Sequence, residues 1–408
     1  MYKSSSEFVN SAHPDRVADN LAAIVINDIQ KHDGAHSHAA IEVFLTHDTV
    51  IFSGEATTSL KINKRYLRSV VEKGFIRSGY FPEMRKFWKK SEVVLAKDLK
   101  IKNNIFAQSP DIALGTTDKG KESGWNDQGI YFSSADNSTE QRIGYPMYVA
   151  QLIGDHLRHI SEISIKQELP VVLGPDIKVV VTCRVEVDGF TPKEVTAITI
   201  AQSHASKNTI QEVRDTVRNE IEAILRASNV KVSPKCEWVI NGTGRFVVHG
   251  CISDTSMTGR KISVNHPSAG PLWSNKMIGG GSLVKPFHAS DLILNLAARY
   301  IAKTLVDAGV TKYAIVGCAG AIGQHGVQSL FIRGDYKFNN SKKKDAVQKY
   351  FEQNWTWSPY WLASKFGFFT ADFDFGKAVD MNFFGDSNSQ PWETPSPEDI
   401  QAVKEIFE

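Results

Sequence analysis

The chain has 408 residues, with 47 Lys and Arg against 45 Asp and Glu, so its formal net charge is only +2. That balance excludes a general nucleic-acid binder, which would carry a basic surplus, and the length allows two or three ordinary cores. Hydrophobic content of 42% and charged content of 23% are those of a soluble globular protein.

The four cysteines (Cys183, Cys236, Cys251 and Cys318) are scattered without a C-x-x-C pair, which excludes a disulfide framework and a zinc site. Each reads as a small buried hydrophobe. The N-terminus has no basic stretch leading into an apolar one, and no apolar run approaches the roughly 20 residues of a membrane span. A cytoplasmic protein without membrane contact is expected.

In chain order, Val17, Leu21, Ile24, Val25 and Ile29 recur at helical spacing, predicting a helix over residues 16–31 entered through His13-Pro14-Asp15. The unpaired N–H groups at such an end favour anionic phosphate. Residues 40–45 and 49–52 read as paired strands turning at His47-Asp48, and residues 61–78 as a second helix. The polar, Gly-rich residues 108–129 are too long for an ordinary connection and are expected to form a mobile lid. Residues 177–187 and 195–201 alternate like half-buried strands. Thr209-x-x-Glu212 is a capping box opening a helix through Ile210, Val213, Val217, Ile221 and Ile224. Residues 291–308 read as a helix stopped by Gly309, with a strand at 313–316. Strands and helices in three successive blocks, with no internal repeat, give an α+β class.

The segment Ile240-Asn-Gly-Thr-Gly-Arg-Phe-Val-Val-His-Gly250, followed by Asp254 and Thr258-Gly-Arg-Lys261, sets glycines, cations, a carboxylate and a ring between short apolar runs. Glycine admits close backbone approach, Arg and Lys bind phosphate, and Phe246 offers a face for a base. These are the parts of a nucleotide site, although no G-x-x-x-x-G-K-[ST] is present. Gly317-Cys-Ala-Gly-Ala-Ile-Gly323 has the spacing G-x-x-G-x-x-G and is followed by a strand-like run, so a Rossmann dehydrogenase is set aside. Lys342-Lys-Lys344 near Trp355, Trp357, Tyr360 and Trp361 could suggest single-stranded nucleic acid; a solvated helix end beside a packed aromatic cluster is the expected reading.

Seven segments carry a stronger signal. Residues 5–19 (Ser5-Ser-Glu-Phe-Val-Asn-Ser-Ala-His-Pro-Asp-Arg-Val-Ala-Asp19) and Phe52-Ser-Gly-Glu-Ala-Thr-Thr-Ser59 are two. Gln108-Ser-Pro-Asp-Ile112, Asn126-Asp-Gln-Gly129, Pro175-Asp-Ile-Lys178, Asn241-Gly-Thr-Gly-Arg-Phe246 and Thr258-Gly-Arg-Lys261 complete the set. In order and spacing they resemble the S-adenosylmethionine synthetase (methionine adenosyltransferase) family, from about residue 5 to Pro391-Trp-Glu393.

The resemblance implies three similarly built α+β domains about a pseudo-threefold axis, here at 3–107, 130–244 and 245–408, with 108–129 as the mobile active-site loop. It implies a homodimer with active sites at the subunit interface, with a dimer of dimers as a further option. The implied substrates are ATP and L-methionine, and the implied cofactors are Mg²⁺, two per site, and K⁺. Methionine sulfur would attack C5′ of ATP and expel triphosphate, which is then cleaved to pyrophosphate and phosphate. A thioether is already a soft nucleophile, so the site must align reactants and stabilise charge on the leaving group.

By the same resemblance His13 contacts the nucleotide near the breaking bond, and Asp15 and Asp291 hold magnesium; Asp291 also sits where a helix N-cap would. Glu42, inside an apolar strand where a carboxylate needs a partner, matches the potassium ligand. Asp176, Lys178, Arg245 and Phe246 match nucleotide contacts, and Arg260, Lys261, Ser282 and Lys285 the ATP phosphate set, with His13, Lys178, Arg260, Lys261 and Lys285 catalytic. Glu55, Gln108 and Asp254 match methionine contacts, and Asp254 also touches nucleotide. Asp111 and Asp127 align with polar residues of the loop.

Three departures stand out. Arg16 replaces a lysine, the 279–285 loop is one residue short, and Ala289 stands where the family has a lysine near methionine, with His288 as a conceivable substitute. The Ala289 change motivates an alternative, a catalytically impaired nucleotide-binding homologue acting as a structural or regulatory partner. The intact metal carboxylates and triphosphate cations favour the enzyme.

Overall fold

The computed structural model describes residues 1–34, 38–109, 124–187, 191–261, 264, 266–267, 282–370, 373–380, 383–385 and 390–408. Alternating apolar residues build its sheets. On β2 (His38–Thr46), Ile41, Val43 and Leu45 are fully buried, while Glu42 and Phe44 point the other way, as the two-residue period of a strand requires. The next strand, β3 (Thr49–Thr57), pairs antiparallel with β2, placing Phe52 opposite Val43 and Glu55 opposite Ala40. With β4 (Lys100–Phe106) and the short β9 (Ser256–Met257) they form a sheet in the order β4-β3-β2-β9. Helices α1 (Pro14–Asp33) and α2 (Lys64–Arg77) cover its inner face.

A second sheet has the order β1-β6-β7-β8, built from β1 (Tyr2–Val9), β6 (Leu173–Val185), β7 (Pro192–His204) and β8 (Val232–Ile240). Helix α3 (Tyr145–Lys166) packs on it, and α4 (Ile210–Ala227) packs on α3 and β8. The Thr209–Glu212 capping box is formed as the sequence predicts. The third sheet runs β11-β10-β5, from β5 (Gly129–Asp136), β10 (Tyr313–Gly320) and β11 (Ser329–Gly334), against α5 (Ser290–Asp307). The architecture is α+β in three units, as expected.

The sheets do not follow contiguous blocks of sequence. β1 leaves the N-terminal unit to pair with β6, setting Val9 opposite Lys178, and Asn10 Nδ2 donates to Pro175 O at 2.6 Å. That exchange carries the start of α1 to the Asp176–Lys178 edge of the second sheet, which is what assembles the site.

Other expectations sort themselves by packing. The Gly317–Gly320 stretch lies within β10, and a Cβ on Gly320 would come 3.0 Å from Leu294, so this glycine serves close packing. Of the 355–361 aromatics, Trp355 and Trp361 pack around the Lys365 ammonium, at 5.0 and 5.6 Å from their ring centres, while Trp357 packs on Trp355 and Tyr360 stacks on Phe369. Lys343 donates to Phe407 O at 2.7 Å, tying the helix Lys343–Asn354 to the C-terminal helix. All four cysteines are free thiols; Cys183, Cys251 and Cys318 are buried, but Cys236 on β8 is only half-buried.

Candidate active site

Two groups of polar residues flank β9. The first gathers at the start of α1. Asp15 lies in its first turn, wholly buried, yet it accepts from Lys261 Nζ at 2.5 Å and from Met257 N at 3.0 Å, with Arg260 Nε 3.5 Å away. A buried carboxylate is costly unless it is paired and hydrogen-bonded, and here it is both. Asp19, one turn later, accepts from Gly259 N at 2.9 Å and so fixes the turn that carries Arg260 and Lys261. Arg16 does not enter this cation set. It is buried, pairs with Asp19 at 3.0 Å and reaches Val379 O, so it braces α1 against the helix Phe375–Asp380.

His13 is the N-cap of α1, and its Nδ1 accepts from Asp15 N at 3.2 Å. Burial and the positive charge of Lys261 lower its pKa to about 3, against the opposing effect of Asp15. The ring is therefore neutral near pH 7, and the 3.9 Å approach of Nδ1 to Asp15 Oδ2 is not an ion pair. With Nδ1 an acceptor, the ring proton resides on Nε2, which makes His13 a neutral donor.

Across the exchanged strand lie Lys178, 3.1 Å from Glu7, and the buried Asp176. Asp176 accepts from Gly250 N at 3.2 Å; burial pushes its pKa up to about 7, with Asp254 adding to the rise and the Gly250 bond opposing it. Arg245 is exposed and Phe246 half-buried. Sequence reasoning passed over the two histidines that support them. His204 points Nδ1 at Ala205 O, leaving Nε2 to accept from Phe246 N at 3.2 Å. His249 stands between Tyr80, Trp88 and Phe246. The signal available was His249 inside the 240–250 motif; His204 lies in an unremarkable strand end.

The second group lies on the outer face of β2 and β3. Register places His38, Ala40 and Glu42 opposite Thr57, Glu55 and Ser53, so all six side chains share that face. Glu42 is therefore not buried among apolar residues as expected: its side chain is 45% exposed, accepts from Lys285 Nζ at 3.2 Å and bonds the Thr258 hydroxyl. Gln108 meets Thr57 at 3.3 Å beside Glu55. Ser282 accepts from Val284 N at 3.0 Å. His288 is buried, bonds His38 at 3.1 Å, and burial holds its pKa well below the ordinary histidine value. That burial works against a positive charge on the ring.

Asp291 is in the first turn of α5, but the N-cap is the fully buried Ala289, not Asp291. Asp127 is exposed; burial raises the pKa of the Tyr131 phenol, and the charges of Asp291 and Asp127 add to that rise. Asp111 and the 279–281 glycines lie outside the described residues.

The donors around α1 and β9 suit a polyphosphate, and comparison with known proteins decides which. Models of the S-adenosylmethionine synthetase N-terminal, central and C-terminal domains match residues 1–110, 122–246 and 248–394. The chain belongs to the S-adenosylmethionine synthetase family. The S-adenosylmethionine synthase of Acholeplasma laidlawii is 32% identical over 355 residues, covering 86% of this chain and 87% of that one. S-adenosylmethionine synthase 2 of Rhodospirillum rubrum is 31% identical over 338 residues, 81% of this chain and 79% of its own. An unusual S-adenosylmethionine synthetase from Campylobacter jejuni shares the fold, with a TM-score of 0.86 over all of both chains at 24% identity. As a member of this family the chain is a methionine adenosyltransferase, an ATP-binding transferase of S-adenosylmethionine biosynthesis from ATP and methionine.

Proposed function

We propose that methionine sulfur attacks C5′ of ATP at the start of α1, with the triphosphate leaving as a unit and then cleaved to pyrophosphate and phosphate. The observation that carries this reading is the α1 entrance: a neutral Nε2–H donor on His13 beside Arg260 and Lys261, on a helix N-terminus. In this reading His13 donates to the 5′ side of the leaving group, while Lys178, Arg260, Lys261 and Lys285 neutralise charge that grows on the triphosphate. Arg245, Phe246, Asp176 and Asp254 hold the nucleoside, and Ser282 lies at the phosphate end. Glu55, Gln108 and Asp254 receive methionine. No base is required.

Magnesium fits the residues present. Asp15 and Asp291 are hard oxygen donors, and Mg²⁺ in nucleotide sites takes one or two carboxylates with phosphate oxygens completing its shell. Among the described residues no cluster of three His, Cys, Asp or Glu forms an all-protein cage, in keeping with a metal that arrives with its nucleotide. Two Mg²⁺ would screen the triphosphate and lower the cost of its departure. For K⁺ we assign Glu42, on its exposed carboxylate and the resemblance, with Lys285 already neutralising part of its charge.

We assign a homodimer with sites between subunits, with pairing of dimers left to measurement. Support comes from apolar side chains on outer sheet faces: Phe44 and Met257 are direct cross-strand partners, and Ile130 and Phe331 are about half exposed. No helix among the described residues is long and apolar enough to cross a membrane, and a cytoplasmic location completes the reading.

Labelling the 5′-bridging oxygen of ATP with ¹⁸O tests the chemistry. Attack at C5′ delivers the label to the inorganic products; label retained on a nucleoside would refute it.

A further inference from the structure

Helix α5 begins without a cap of its own. Its N-cap residue is Ala289, which has no side-chain acceptor, yet the first turn carries Asp291. Missing caps leave orphan N–H groups that fray the first turn. The acceptor comes instead from 164 residues away: Asn126 Oδ1 takes Ser290 N at 2.9 Å and stands 3.3 Å from Ser290 Oγ. Tyr131 closes the group, its hydroxyl donating to Ser290 Oγ at 2.7 Å. The backbone entering Asn126 is anchored. Its neighbour Trp125 is fully buried, bonds Gly326 O through Nε1 at 2.7 Å and receives Gly323 N on its carbonyl at 2.8 Å.

We infer that Asn126 is a positioning residue: an N-cap supplied by a distant segment of the same chain, which sets the Asp291 carboxylate for metal-bound triphosphate. The inference rests on the assignment of Asp291 to magnesium proposed above. A carboxylate in a frayed turn would sample many directions, and supporting residues of this kind commonly change metal affinity by about ten- to a hundredfold. Tyr131 acts through Ser290 in the same way but touches only its hydroxyl, so its loss should matter less.

The test uses the intact full-length protein and its Asn126→Ala, Asn126→Asp and Asp291→Asn variants. Three quantities are read: the Mg²⁺ concentration for half-maximal turnover, Mn²⁺ binding with a non-hydrolysable ATP analogue, and amide exchange across the first turn of α5. Asn126→Ala is expected to speed exchange in that turn and to weaken both metal readouts about tenfold. Asn126→Asp keeps the acceptor and should restore all three. Faster exchange with unchanged metal readouts, while Asp291→Asn does alter them, would overturn the positioning role. Metal readouts unchanged in Asp291→Asn would overturn the metal assignment first, and this inference with it. A metal defect equal in Asn126→Ala and Asn126→Asp would also overturn it, because only one of them lacks the cap.

Discussion

Lys261 Nζ lies 2.5 Å from Asp15 Oδ2, joining residues 246 positions apart at a carboxylate with no solvent exposure. The contact depends on two features of the fold. The exchange of β1 brings the α1 entrance to the second sheet, and the bond from Gly259 N to Asp19 pins the turn before Lys261. Lys261→Met should lower kcat/KM for ATP by about ten- to a hundredfold, the worth of roughly 1.5–3 kcal/mol for a charged hydrogen bond. Steady-state kinetics at saturating methionine check this, and a change below threefold would remove Lys261 from the phosphate set.

With Asp176 in the proposed nucleotide site, ATP binding is expected to depend on pH. Its folded-state pKa of about 7 lies above the ordinary 3.8, so the folded chain holds this proton more tightly than the unfolded one. Its contribution to stability is accordingly full below pH 3.8 and is lost as pH rises towards 7. For binding in the proposed site the sign is opposite, because the ionised carboxylate is the stronger acceptor for a hydroxyl of the nucleotide. The Michaelis constant for ATP should fall as pH rises from 6 to 8, and Asp176→Asn should flatten that profile. A wild-type profile without an inflection near 7 would contradict the assignment.

Glu393 is the keystone of the C-terminal unit. Both its oxygens are engaged, by Arg299 Nε at 2.7 Å, Arg299 Nη2 at 2.8 Å and Lys303 at 3.3 Å, with all three side chains buried. Arg299 also donates to the carbonyls of Ser134, Gln141 and Arg142. Removing one partner strands a buried charge, so Glu393→Gln should cost about 3–5 kcal/mol. Chemical denaturation at fixed protein concentration measures it, and an unchanged midpoint would show the pair to be dispensable.

Glu42→Gln should reduce stimulation by K⁺ while leaving turnover without K⁺ within about fivefold, since one partly exposed ion pair is worth at most roughly 1 kcal/mol. Comparing KCl with choline chloride at constant ionic strength separates a bound ion from screening. A K⁺ response identical in wild type and variant would remove Glu42 from the site.

Local patterns were legible where one segment dictates its own structure. The spacing of Val17 to Ile29, the Thr209–Glu212 box and the Gly309 stop all reappear as elements, with ends shifted by a few residues. Long-range consequences were not. Nothing in the alternation of residues 2–9 says that they pair with 178–185. Glu42 looked buried because its neighbours are apolar, yet the strand period turns it outward. Asp291 looked like a cap because it opens a helical pattern; the cap is Ala289, and its missing acceptor comes from Asn126, a dependence no single segment contains. The contact of His288 with His38, 250 positions away, is likewise one that no single segment contains.

Product analysis tests the central claim most directly. Purified protein incubated with ATP, L-methionine, Mg²⁺ and K⁺ should form S-adenosylmethionine, pyrophosphate and phosphate in equal amounts, with none formed in the presence of excess chelator. ATP consumption without S-adenosylmethionine, or no consumption by well-folded protein, would contradict it.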